Sequence, residues 1–272
     1  MAESPAVVVG IDGSRSATDA ALWAIDEAVS RDVPLRLVCA ISPEQGGHEL
    51  AVAEVAVQSA CGIVEATDRP VKLEAEIVRD RPVHALRSES RRAEMLCVGS
   101  VGLSHGGLRR VGSVAATLAS TVRCPLAIIH ADDTVARSGW VVAEVGPSPD
   151  AGLTLRRGVD EALLRRAPLH VVTTWPSRYT DIHDDNAIAD GNRLARRALD
   201  RQLVEWRCRH PELDIQAIAV SGSFVNYLAR HVQSIQLVVV SHDRADGIAE
   251  LVGPPGRGTP QDAGFDVLLC EP

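Results

Sequence analysis

The chain has 272 residues, 46% hydrophobic and only 3% aromatic, with a formal charge of −8, which bounds it to one or two globular domains with aliphatic cores. Its net acidity excludes general nucleic-acid binding, since a phosphate backbone rewards basic surfaces, and no uncharged apolar run is long enough to cross a membrane. Lys72 is the only lysine among 28 basic residues, which removes the P-loop chemistry that needs a lysine after its glycines.

The opening "MAESPAVVVGIDGS" has no basic leader region, which argues against a signal peptide. "AVVVGID" is a short apolar run of the kind that forms a buried parallel strand. "SATDAALWAIDEAVSRD" then places alanines and aliphatics at helical spacing. "PLRLVCAI" reads as a second strand, Leu50 to Asp68 as a second helix, and the alternating "VKLEAEIV" as a third strand. "PVHALRSESRRA" is a helix, "MLCVGS" a strand, "GSVAATLASTV" a helix and "PLAIIH" a fifth strand. Such alternation predicts an α/β fold with a parallel sheet and helices on both faces. Its ligand is expected at the carboxyl ends of the strands, where the strand order reverses. Cys39, Cys97 and Cys270 lie in apolar runs and the six cysteines form no CxxC pair, so buried thiols in a reducing, cytoplasmic setting are expected.

The pattern then repeats. "DEAVSRDVPLRLVCA" aligns with "DEALLRRAPLHVVTT" at a shift of 134, with seven of fifteen residues identical. Farther on the shift grows to 142, because the second copy has a longer middle around "PSRYTDIHDDNAIADGNR". The polar stretch "ADDTVARSG" marks the boundary, giving two units, 1–133 and 134–272.

Five glycines crowd "VGSVGLSHGGLRRVGSVAATLAS", Val98 to Ser120. Glycine lets a ligand approach bare N–H groups, and a helix start offers unpaired donors to an anion. On local chemistry alone, a phosphate cradle competes evenly with ordinary turns in which Ser113 caps a helix. Asp12, just past the first strand, reads likewise as a ligand contact or as an Asx turn before Gly13.

The spacing Gly99-x2-Gly102-x9-Gly112-Ser113, set between a strand and a helix, resembles the ATP-binding signature of the universal stress protein family. "VVVGIDGS" resembles that family's opening strand and turn, and "SVAATLASTVRCPLAIIH" its closing helix and strand. The resemblance covers the first unit and, more weakly, the second. It implies two tandem Rossmann-like domains of the adenine nucleotide alpha hydrolase-like kind, each with a parallel five-stranded sheet. It also implies ATP, with or without Mg2+, bound once per chain in the first domain. Asp12 would hold the adenosine and Ala40 would line the base, with Val98 touching the nucleoside. Gly99 and Gly102 would let ribose and phosphate lie against backbone, and Gly112, Ser113 and the Val114 N–H would bind phosphates. A stress-response role and a dimer formed through the sheet edge are further implications, with pairing between the two units of one chain as the alternative.

Carried across the shifts, Asp12 falls on Gly146, Gly99 on Ser241, Gly102 on Arg244, and Gly112 and Ser113 on Pro254 and Pro255. Proline has no N–H to offer, so the second unit is expected to keep the sheet and lack the nucleotide. "GPPGRGTPQDAG" also makes its fourth helix doubtful. "DIHDDN" reads as a solvated loop with Asp185 capping the next helix rather than as a metal site. Arg193, Arg197 and Arg201 read as a solvated helix face, and Ser14 and Ser16 as helix caps. His105 and the paired Arg109 and Arg110 sit in the glycine loop, within reach of a phosphate. No catalytic triad or nucleotidyl-transferase motif is legible. A regulator that binds ATP and meets a protein partner is therefore the leading expectation. A slow ATPase or nucleotidyl transferase and a nucleotide-free assembly module are the alternatives.

Overall fold

The structure, a computed structural model, describes residues 5–44, 46–101, 112–130, 139–176, 184–252 and 264–271. Its elements are β1 (Ala6–Ile11), α1 (Arg15–Arg31), β2 (Leu35–Ile41), α2 (Gly47–Glu65), β3 (Leu73–Arg79), α3 (Pro82–Glu89), β4 (Ala93–Gly99), α4 (Ser113–Ala119) and β5 (Leu126–Ile129). They continue as β6 (Trp140–Glu144), α5 (Ala151–Arg165), β7 (Leu169–Trp175), α6 (Asp185–Arg209), β8 (Ile215–Ser221), α7 (Phe224–His231), β9 (Ile235–Val240), α8 (Ile248–Val252) and β10 (Asp266–Leu269).

The first unit orders its strands β3-β2-β1-β4-β5, all parallel. Val7 to Val9 and Met95 to Cys97 form its buried centre. The alternating third strand is half-buried, as the end position of β3 requires. Helix α1 starts where Ser14 accepts the Ala17 N–H, and it buries Ala17, Ala20, Ala21, Ala24 and Ala28. The small side chains let it lie close on the sheet.

The second unit repeats the plan with four parallel strands, β9-β6-β7-β8. The expected five parallel strands in each unit meet one difference. The last strand, β10, runs antiparallel on β5 and groups with the first unit, as does the segment His242–Val252. An open edge of buried apolar strand is a liability, and β10 covers that of β5. Residues 253–263, over which the fourth helix was doubted, lie outside the described residues.

Two features recur at matching positions. In each first helix a buried glutamate pairs with an arginine one turn later, Glu27 with Arg31 at 2.5 Å and Glu161 with Arg165. Both helices end on a non-glycine residue in the left-handed region, Asp32 and Arg166.

A third matching place differs in chemistry. In the first unit Arg36 bonds Glu74 at 3.0 Å and meets Glu89 at 3.5 Å. The corresponding residues of the second unit are His170, Gln216 and His231, with the buried Tyr227 beside them. His170 Nδ1 lies 3.3 Å from the Tyr227 hydroxyl, and its ring centre lies 4.0 Å from that of Trp140. Burial holds His170 below its ordinary value of 6.5; the Asp214 charge opposes this and that of His231 adds to it. Burial pushes the Tyr227 hydroxyl up to about 12.

The unfolded chain therefore takes a proton at position 170 more readily than the folded one. Stability is present above pH 6.5 and falls as the pH drops through that value. Glu74 is held below its ordinary 4.5, chiefly by the Lys72 hydrogen bond, so its contribution is lost only at lower pH. Trp140, Trp175 and Trp206 lie in the second unit and Trp23 in the first, so tryptophan fluorescence weights the second. Denaturant midpoints read this way are expected to fall between pH 7 and pH 5, and to fall less in His170→Phe, by the linkage above. An unchanged pH dependence in that variant would remove His170 from the account.

Candidate functional site

β1 lies between β2 and β4, so the chain leaves β1 toward one side and returns on the other. That reversal opens a crevice at the carboxyl ends of β1 and β4. A cavity of about 440 Å³ fills it. Asp12, Ala40, Val98, Gly99, Gly112, Ser113 and Val114 all line it. Gly102, His105, Arg109 and Arg110 lie outside the described residues.

One wall is apolar: Val38 from β2, Pro82 and Leu86 from α3, and Val98 from β4. β1 reaches only as far as the pairing of Ile11 with Cys39, so Ala40 extends past it beside the cavity. Asp12 is exposed, and its Oδ1 accepts the Ser14 N–H at 2.9 Å, with Gly13 at φ 82° completing the turn. The Asx turn is therefore present, and the carboxylate still borders the cavity.

At the other end, α4 begins without a side-chain cap, and Gly112 sits in extended backbone at φ −68°. Its N–H is already committed, donating to Ser100 O at 2.6 Å. The donors facing an incoming anion are instead the first amides of α4, Ser113 and Val114. Gly112 thus fastens the helix to the end of β4 rather than donating from its own amide.

Gly99 also has a local reason to be glycine. A Cβ there would lie 2.7 Å from Ser16 C and 2.8 Å from Ala17 N, so β4 presses on the first turn of α1. Ser16, expected as a cap, does something else: its hydroxyl donates to Val101 O and pins the chain leaving β4. Ser14 alone is the cap. Gly10 escaped the sequence reading although an interior-strand glycine marks close approach. A Cβ at Gly10 would meet Leu86 Cδ1 at 2.9 Å.

In the second unit the matching registers put Glu144 where the first has Gly10, and Thr174 where it has Ala40. Gly146 takes the place of Asp12, and the buried Phe224, first residue of α7, that of Pro82. Ser241 follows β9, and Arg244 lies in a 3-10 turn, His242–Gly247, that packs against α4 and β10. Pro254 and Pro255 lie outside the described residues. A carboxylate and a large aromatic ring thus take the places of a glycine and a proline of the first cleft, and the Asp12 carboxylate has no counterpart at Gly146. Asp184, not Asp185, caps α6, accepting from Asn186 N and Ala187 N. Among the described residues no cluster of three or more metal-ligating side chains occurs, and no helix is long and apolar enough to cross a membrane.

Comparison with known proteins agrees with this architecture. The sequence model of the Universal stress protein family matches residues 5–130. A universal stress protein of Mycobacterium tuberculosis is 42% identical over 275 residues, covering 97% of this chain and 95% of that protein. The crystal structure of a universal stress protein from Archaeoglobus fulgidus shares the fold, with a TM-score of 0.68 at 14% identity, over 99% of this chain and 97% of that one. A universal stress protein solved in complex with cAMP is 30% identical, with a TM-score of 0.38, covering 47% of this chain and 98% of that one.

Proposed function

The chain belongs to the universal stress protein family, and from that premise we propose that it is an ATP-binding regulator in the cytoplasm. One nucleotide, with or without Mg2+, occupies the first-unit cleft and alters how the protein meets a partner. The observation that carries this reading is the convergence of Asp12, Ala40, Gly99, Ser113 and Val114 on one cavity of about 440 Å³. That volume lies in the range of small-ligand sites.

The adenine ring occupies the apolar slot of Val38, Pro82, Leu86 and Val98, with the Ala40 main chain at its edge. Asp12 accepts from ribose hydroxyls at the rim. The phosphates meet the amides of Ser113 and Val114, where the α4 dipole favours negative charge. Nucleotide is expected to be bound without turnover, since phosphoryl transfer needs placed charge on both attacking and leaving oxygens and no catalytic motif is legible in the sequence.

Calorimetric titration with ATP is expected to give one site per chain. Asp12→Ala should weaken binding by about tenfold or more, the worth of a charge-assisted hydrogen bond. A stoichiometry of two, or ATP binding unaltered by Asp12→Ala, would overturn this assignment. Nucleotide recovered intact from the denatured protein supports regulation, while steady phosphate release would make the protein an enzyme.

A further inference from the structure

The outer edge of β3 is open main chain. Leu35 N donates to Lys72 O, and from that bond the parallel register turns the amides and carbonyls of Glu74, Glu76 and Val78 toward β2. Leu73, Ala75 and Ile77 therefore turn theirs outward, where no described residue bonds them. Ala75, at the middle of the edge, is exposed.

The second unit closes the matching edge with a side chain of its own. Leu169 N donates to Asp214 O, so Ile215 O points outward from β8. Arg207 of α6 donates to that oxygen from Nε at 3.1 Å and from a second guanidinium nitrogen at 3.0 Å. Ala217, next along the edge, is buried. At the shift of 142 that aligns these strands, Glu65 of α2 stands where α6 has Arg207. An ionised carboxylate only accepts, so Glu65 has no proton to give the Leu73 carbonyl, and this edge stays open.

The flanks of the open edge are acidic. α2 packs on β2 and β3 and buries Ala53, Val57, Ala60 and Val64; one position farther on it carries Glu54, Gln58, Cys61 and Glu65. In a right-handed crossover that flank lies beyond β3, as the flank of Arg207 lies beyond β8. On the other face of β3, Glu76 is exposed, while Glu74 bonds Arg36 and Lys72. Among the described residues Glu54, Glu65 and Glu76 have no ion-pair partner.

We infer that the edge of β3 takes up an extended segment of another protein as an added strand, and that this segment alternates basic with apolar residues. Its main chain bonds Leu73, Ala75 and Ile77. On one face its basic side chains lie beside Glu74 and Glu76; on the other its apolar ones continue the row of Leu73, Ala75 and Ile77 beneath α2. Glu54 and Glu65 flank that row and add to the field that draws a basic segment in. The same acids oppose a second β3, so a like edge is turned away while a basic strand is admitted. None of these residues borders the nucleotide cavity, and the inference holds or fails independently of ATP.

Fluorescence anisotropy with a labelled peptide of alternating arginine and valine decides it. That peptide is expected to bind in the micromolar range, more weakly as salt is added, while one of alternating glutamate and valine does not bind. Ala75→Pro removes an amide that β2 does not use, so the strand should stay in place while affinity for the basic peptide falls about tenfold or more. Glu65→Arg should weaken binding by closing the edge as Arg207 closes its own, and Glu76→Lys by reversing the charge beside it. In the wild-type protein, hydrogen exchange at the Leu73, Ala75 and Ile77 amides should slow when the peptide is added. No binding of the basic peptide would overturn the inference. Binding indifferent to Ala75→Pro would do so too, since it would mean adhesion by charge without strand pairing. Unchanged exchange at those three amides with peptide bound would also overturn it, and that measurement needs no variant. A mass that rises with concentration in the wild type but not in Ala75→Pro would put a second copy on the edge instead. Unchanged ATP titration and melting confirm that the variants are folded.

Discussion

Gly99→Ala is expected to cost the first unit about 2–3 kcal/mol of stability and most of its nucleotide affinity, more than any other single methyl group added near the cleft. The new Cβ would meet main-chain atoms, 2.7 Å from Ser16 C and 2.8 Å from Ala17 N, and main chain in a helix cannot turn aside as a side chain does. Either β4 or the first turn of α1 must move. Both carry the site: β4 brings Val98 and Gly99, and α1 begins at the turn that holds Asp12. The Ser16 bond to Val101 O would break in the same displacement. Urea unfolding and ATP titration of the one variant read both effects. Gly62→Ala is the control, since nothing lies within 4 Å of the added Cβ, and neither its stability nor its ATP affinity should fall. A Gly99→Ala protein that melts and binds like wild type would show that the two elements are not in hard contact.

Arg31→Ala should be more damaging still, by about 3–5 kcal/mol in the first unit, because it breaks an ion pair whose carboxylate, Glu27, is fully buried. Glu27 is fully buried and Arg31 is mostly so, which places the pair away from the water that makes surface ion pairs nearly worthless. The cost comes from removing one half of a buried pair, so replacing both residues with leucine should cost far less than Arg31→Ala alone. Arg165→Ala should do the same to the second unit through Glu161. Calorimetry separates the cases if each substitution lowers a different transition. Equal loss from the double leucine variant would mean that packing, not charge, is what the pair supplies.

Much of the site was legible because strand ends are legible. "VVVGIDGS" and "MLCVGS" announce where β1 and β4 stop, and residues at those points face the crevice wherever the order reverses. Asp12 and Gly99 follow directly, and Ser113 follows from the helix start. The α3 wall was not legible. Pro82 and Leu86 reach the cavity only through tertiary packing, and their local pattern says no more than helix. The reason for Gly99 was also hidden, because its neighbour across the contact is 83 positions earlier in the chain. Nor does "FDVLLC" disclose its direction: a short apolar strand reads the same whether it pairs parallel or antiparallel, and β10 takes the antiparallel choice. The cap at Asp184 rather than Asp185 reflects two adjacent aspartates that sequence alone cannot rank.

The pairing of β10 with β5 sets a limit on dissecting this molecule. Leu126 to Ile129 are almost wholly buried, and their register partners Val267, Leu268 and Leu269 come from the far end of the chain. A gene fragment ending at the repeat boundary would carry every residue proposed to touch ATP and still present an unzipped row of main-chain donors and acceptors flanked by aliphatics. Such a fragment would seek any strand available, its own twin included. Its stickiness would then report the missing tail rather than the behaviour of the intact protein.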